Sequence, residues 1–234
     1  MEMMDNFSLN AVEDVVKTEC YPRDAEAILL IEIDGLPSEV ATCRDRITTL
    51  CQKNGARQVT VAAEPADRLR LWKGRKAAFA AMGKLSPDYY VQDGVIPRTQ
   101  LPYVLQEIAA LGEQHGYRVA NVFHAGDGNL HPLILFNNRI PGQLEAVEEL
   151  GGDILKLCVQ VGGSISGEHG IGADKRCYMP DMFSATDLET MQWVRTSWNP
   201  KGLANPTKIF PTPRTCGEAA RAPLPPTLTE SDRF

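Results

Sequence analysis

Two strand-length segments, YRVANVFH (117–124) and HPLILF (131–136), flank the short turn AGDGNL. Gly126 and Gly128 let that turn fold back tightly, because glycine accepts positive φ. Such a pair calls for a sheet with neighbours on both sides, and the rest of the chain offers them. AEAILLIEID (25–34), RQVTVAA (57–63) and DYYVQDGVI (88–96) read as further strands. Helical spacing marks 38–54, which opens on Ser38 and closes before Gly55, and 65–82, which carries Trp72 and Phe79. It also marks 99–115, 141–161 and 184–197. A central Gly-Gly pair weakens the helix at 141–161 by about 1 kcal/mol per glycine. This order predicts an α+β fold, an antiparallel sheet with helices packed on one face and ferredoxin-like elements. Residues 1–24 read as a linker, 25–213 as one domain, and 214–234, rich in Pro, Ala and charge, as a disordered tail.

A formal net charge of -6 argues against nucleic acid as a partner, since phosphate binding needs a basic face. The apolar runs fall far short of the ~20 residues of a membrane span. MEMMDNFSLN lacks the basic and apolar regions of a signal peptide. Six scattered cysteines without a CxxC pair suggest reduced thiols and a cytoplasmic protein, with contact at the inner face of the membrane left open.

Three of the four histidines fall in two glycine-rich segments, FHAGDGNLHP and SGEHGIG. His124 ends one strand and His131 begins the next, so the turn can bring two imidazoles toward one point. Two imidazoles and a carboxylate are a common ligand set for Zn, Mn or Fe. Glu168 is the obvious carboxylate, Asp127 the alternative, and spacing does not decide between them. His169 is then left to act as a base. Arg75, in WKGRKAAF, has a fork suited to a carboxylate. Its other reading, a solvated helix charge, applies equally to Lys175 and Arg176. GxGxxG, GxxxxGK[ST] and GxSxG are all absent, so neither a phosphate-cradling loop nor a nucleophile elbow is encoded.

Together AVEDVV, AEAILLIEIDG, LWKGRKAAF, SPDYYVQDGVIP, RVANVFHAGDGNLHPLILF, GGSISGEHGIG and NPKGLANPTKIFP resemble the C-terminal domain of FAD-linked oxidases. The resemblance is nearest to the FAD-linked subunit of glycolate oxidase, with D-lactate and D-2-hydroxyglutarate dehydrogenases as cousins. It implies the cap, or substrate, domain of a vanillyl-alcohol-oxidase-type flavoenzyme that oxidises a 2-hydroxy acid. It further implies a divalent metal on His124, His131 and Glu168, with His169 as base. Arg75 and Asn129 would lie toward the substrate, and Asn205 and Lys208 toward FAD. The implied partners are an FAD-binding domain or subunit, whose sequence is not recognisable before residue 25, and iron-sulfur and other glycolate oxidase subunits. One departure stands out: the usual NPGKIFP reads NPTKIFP here, with Thr207 in place of glycine.

Overall fold

A computed structural model describes residues 1–17 and 21–211. The elements run β1 (Glu2–Asp5), α1 (Asn6–Val16), β2 (Ala27–Leu30), α2 (Pro37–Lys53), α3 (Pro65–Leu85), β3 (Asp88–Val91) and β4 (Gly94–Val95). Then come α4 (Leu101–His115), β5 (Arg118–Phe123), β6 (Asn129–Leu130), β7 (Pro132–Phe136), α5 (Gln143–Gln160), α6 (Met179–Met182) and α7 (Ala185–Trp198). They divide into two compact units, Met1–Leu85 with Ala120–Asp127, and Ser86–Val119 with Gly128 onward. The pairings β1 with β2, β1 with β5, β3 with β7 and β4 with β6 are antiparallel, so the fold is the mixed helix and antiparallel sheet the sequence suggests.

In the first unit β1 pairs with β2 (Glu2↔Leu30) and with β5 (Met3↔Phe123). Side chains alternate along a strand, so Glu2 and Met4 both point inward. Asp5 ends the strand and starts α1: its Oδ1 accepts from the Ser8 amide at 2.8 Å, and its Oδ2 from the Asn121 amide at 2.8 Å. One carboxylate thus caps a helix and clamps β5. Met4, Leu9, Val12, Ala78, Ala81 and Met82 are buried as α1 packs on α3. The stretch read as a linker is therefore a strand and a helix. Residues 57–63 are not a strand: the segment is largely exposed, and its alternation finds no pairing partner among the described residues.

In the second unit β3 pairs with β7 (Asp88↔Phe136, Val91↔Leu133), and β4 with β6. α5 lies across β3 and β7 and beside α4. Its Gly-Gly pair explains itself here. A Cβ on Gly151 would stand 2.6 Å from Gln92 Nε2, and one on Gly152 would stand 2.2 Å from the Tyr178 hydroxyl. Close packing offsets the weak helix propensity of the two glycines, and the helix runs unbroken. Leu155, Ile165 and Met179 form a core with Val159, Ile171, Phe183 and Leu188 around it.

Cys177 stands in a disulfide bond, unlike the all-reduced set expected from sequence. No local spacing signal such as CxxC marks it along the chain. Cys43, Cys51 and Cys158 are free. No described helix is long and apolar enough to cross a membrane. The 214–234 tail lies outside the described residues.

Candidate functional site

The second unit holds a buried carboxylate, Asp93, to which the sequence reading assigns no role although it lies in SPDYYVQDGVIP. β3 runs on into Gln92 and Asp93, and the Asp93 side chain is fully buried. Asp93 Oδ2 accepts from Ser166 Oγ at 2.7 Å, the Gly167 amide at 3.1 Å and the His169 amide at 2.9 Å. The Glu168 amide lies 3.2 Å from both carboxylate oxygens, and Lys175 Nζ is 3.3 Å from Oδ2. Burial alone would raise the Asp93 pKa. The Ser166 hydroxyl, the amides of His169 and Glu168 and the Lys175 charge outweigh it and hold the carboxyl at about 2. Asp93 is thus a permanent anion around which SGEHG wraps. Lys175, expected as a solvated charge, is instead buried as its counter-ion. The one signal in the sequence is a polar Gln-Asp pair between an apolar strand and Gly94.

His131 enters this cluster from the start of β7. Its Nδ1 lies 3.4 Å from the Gln92 carbonyl. Its Nε2 lies 2.8 Å from Glu168 Oε1. Burial pushes the imidazole below its ordinary pKa, against the pull of the Gln92 carbonyl and the Glu168 carboxylate. The His169 ring stacks on His131 at 5.0 Å, nearly parallel, and is about half exposed. Asn129 is buried beside Gly167, where a Cβ would stand 2.4 Å from its Oδ1. That Oδ1 has no hydrogen-bond partner among the described residues, an orphaned acceptor beside the cluster.

In the first unit Arg75 is also buried rather than solvated. Its Nε and Nη2 grip Glu2 Oε2 at 3.0 and 2.7 Å. Glu2 Oε1 takes His124 Nδ1 at 2.9 Å. Arg75 and His124 are therefore joined through one carboxylate that the sequence does not single out. The link is invisible along the chain because Glu2 is 73 residues from Arg75.

Asn205 and Lys208 lie exposed in the NPTKIF segment after α7. Asn205, Thr207 and Ile209 adopt left-handed backbone at φ 45°, 63° and 76°. Arg195 donates to the Asn205 and Lys208 carbonyls, Arg176 Nη1 donates to the Thr207 carbonyl at 2.6 Å, and the Ile209 amide donates to the Gly172 carbonyl at 2.7 Å. Arg176, expected like Lys175 as a solvated charge, is thus buried against this segment. These bonds tie NPTKIF to the Gly172 end of the glycine loop.

The donor chemistry fits a metal. Asp93, His131 and His169 each offer an atom within 4.8 Å of one another. Asp93 already accepts from five donors, and His131 Nε2 with Glu168 Oε1 is a second pair of candidate ligand atoms. Two ligands of one tetrahedral cation at about 2.1 Å stand roughly 3.4 Å apart, so this pair, at 2.8 Å, would open by about half an ångström to share a cation. Of the two carboxylates weighed from sequence, Glu168 is the one on His131. For FAD the fit is partial: Asn205 and Lys208 present exposed polar side chains, and no glycine-rich phosphate loop occurs in the sequence.

The mixed helix and antiparallel-sheet fold, with its glycine loops, is that of a C-terminal domain of FAD-linked oxidases. The chain belongs to the family described as FAD linked oxidases, C-terminal domain, whose sequence model matches residues 1–209. It is 53% identical over 218 residues to glycolate oxidase subunit GlcD of Escherichia coli K12, covering 93% of this chain and 44% of that protein. To the same-named subunit of Bacillus subtilis it is 30% identical over 210 residues, covering 90% of this chain and 44% of the relative. To the mitochondrial D-lactate dehydrogenase (cytochrome) 1 of Saccharomyces cerevisiae it is 26% identical, covering 91% and 37%. The chain thus spans less than half the length of these curated relatives. In fold it resembles 4-ethylphenol oxidase from Gulosibacter chungangensis in its isoeugenol complex, with a TM-score of 0.61 and 12% identity, covering 94% of this chain and 48% of the other.

Proposed function

We propose that this chain forms the substrate- and metal-binding part of an FAD-dependent dehydrogenase that oxidises a 2-hydroxy acid of the glycolate or D-lactate kind to the 2-oxo acid. The observation that carries the reading is the pairing of His131 Nε2 with Glu168 Oε1 at 2.8 Å, on a loop gathered by buried Asp93. The names and identities of the relatives support the substrate class.

A divalent cation on His124, His131 and Glu168 would supply positive charge to stabilise a developing alkoxide. His131 suits that duty because burial lowers the pKa of its ring, which favours the neutral imidazole a metal requires, and its Nε2 faces Glu168 Oε1. His169, stacked on His131 and open to solvent, receives the substrate hydroxyl proton and passes it to water. Arg75 orients the substrate carboxylate, and the orphaned Asn129 Oδ1 accepts from a substrate hydroxyl. FAD, when bound, supplies the two-electron acceptor for the Cα hydride while the carbonyl forms. Asn205 and Lys208 contact the flavin from NPTKIF.

The proposed partners follow: an FAD-binding domain or subunit, and iron-sulfur and other subunits of a glycolate oxidase assembly. The proposed setting is cytoplasmic, with contact at the inner membrane face. Elemental analysis of the purified chain tests the site. About one divalent cation per chain is expected, lost in the His124→Ala/His131→Ala double variant; undiminished metal there refutes the ligand assignment. In enzyme reconstituted with its FAD-bearing part, His169→Ala should cost orders of magnitude in kcat. A loss below about tenfold removes His169 from the role of base.

A further inference from the structure

β1 carries a charge where its pattern demands an apolar side chain. Glu2 shares the inward face of the strand with Met4, and its side chain is only 12% exposed. Buried carboxylates persist when paired and hydrogen-bonded on all sides. Glu2 meets that condition by dividing its oxygens between two residues: Oε2 takes the Nε–Nη2 edge of Arg75, and Oε1 takes Nδ1 of His124. The carboxylate can only accept, so His124 Nδ1 must carry the proton, and in the neutral ring Nε2 is the nitrogen with the lone pair. The guanidinium is fixed along one edge, which sets the direction of its remaining N–H groups.

We propose that Glu2 is a positioning residue serving two sides of the chemistry at once: one carboxylate sets the tautomer of His124 for metal binding and sets the plane of Arg75 for a substrate carboxylate. The inference rests on the proposed metal reading for its purpose, but its geometry lies wholly within the first unit. Carboxylate partners behind metal-bound histidines typically contribute about tenfold to a hundredfold in metal affinity.

The experiment uses the full 234-residue chain, stripped with chelator, and two variants, Glu2→Ala and Glu2→Gln. Zn2+ affinity is measured by competition with a chromophoric chelator. The His124 tautomer is read from long-range 15N–1H couplings of the metal-free protein, and folding from far-UV circular dichroism. In the parent chain His124 should be a single Nδ1–H tautomer. Glu2→Ala should mix the tautomers and weaken Zn2+ binding by about tenfold to a hundredfold. Glu2→Gln keeps an oxygen acceptor for Nδ1–H and should lose less than about tenfold. Glu2→Gln also carries the test if the alanine variant does not fold. An Nε2–H tautomer in the parent, or a folded Glu2→Ala with unchanged tautomer and Zn2+ affinity, overturns the proposal. A parent chain that takes up no Zn2+ overturns the metal reading instead, while the tautomer measurement still decides what Glu2 does.

Discussion

Replacing Asp93 with asparagine removes the anion that organises SGEHG while keeping the side chain's shape. Five donors converge on that carboxylate, among them the backbone amides of three consecutive residues and the buried Lys175 ammonium. The amide keeps one oxygen, turns an NH2 toward other N–H groups, and leaves Lys175 without a counter-charge. Losing one partner of a buried ion pair costs about 3–5 kcal/mol. The acid dependence gives a second estimate. The Asp93 pKa falls from an ordinary 3.8 to about 2, which at about 1.4 kcal/mol per pH unit favours the ionised fold by about 2 kcal/mol. Because the folded pKa is depressed, that contribution is fully present above about pH 4 and is lost as pH falls through about 2. Urea unfolding followed by circular dichroism at pH 7 should place Asp93→Asn at least about 2 kcal/mol below the parent. A series from about pH 5 to pH 2 should narrow the gap by about 2 kcal/mol. A deficit under about 1 kcal/mol at pH 7, or a gap that does not change with pH, refutes Asp93 as the organising anion.

Thr207 sits at φ 63°, where a β-branched side chain is strained, so Thr207→Gly should stabilise the chain by about 1 kcal/mol in the same urea assay. Unchanged or lower stability would show that the turn is not strained. Gly152→Ala gains helix propensity but drives a Cβ to 2.2 Å from the Tyr178 hydroxyl, and overpacking should win by about 1–3 kcal/mol. A stabilised alanine variant would contradict that packing. Burial pushes the Cys158 thiol up to about 12, so iodoacetamide at about pH 8 should label exposed Cys43 and spare Cys158, with Cys177 labelled only after reduction. Peptide mass spectrometry reads all three sites, and rapid labelling of Cys158 would refute its burial.

Elements with a strong local period are legible in the sequence: α4 and α5 with their glycine punctuation, and β5 and β7 around their turn. β1 is not. Four residues, EMMD, hold too little pattern, and their partners lie far along the chain, in β2 and β5. The 57–63 segment has the alternation of a strand, but pairing is settled by tertiary context. At the candidate site, His131, Glu168 and His169 stand out because three of the four histidines cluster in two glycine-rich segments. Glu2, Asp93 and Lys175 do not, since a charge becomes informative only once its burial is known. The expectation of solvated charges at Lys175 and Arg176 fails for that reason, as it does at Arg75.

The Asp93 clasp grips main-chain amides, not the side chains at 168 and 169. Those two positions are consequently interchangeable in a way most reactive residues are not: the scaffold survives whatever is mounted on it. A library varied at Glu168 and His169 alone should yield mostly folded proteins, making this loop a natural cassette for probing the proposed metal and base roles.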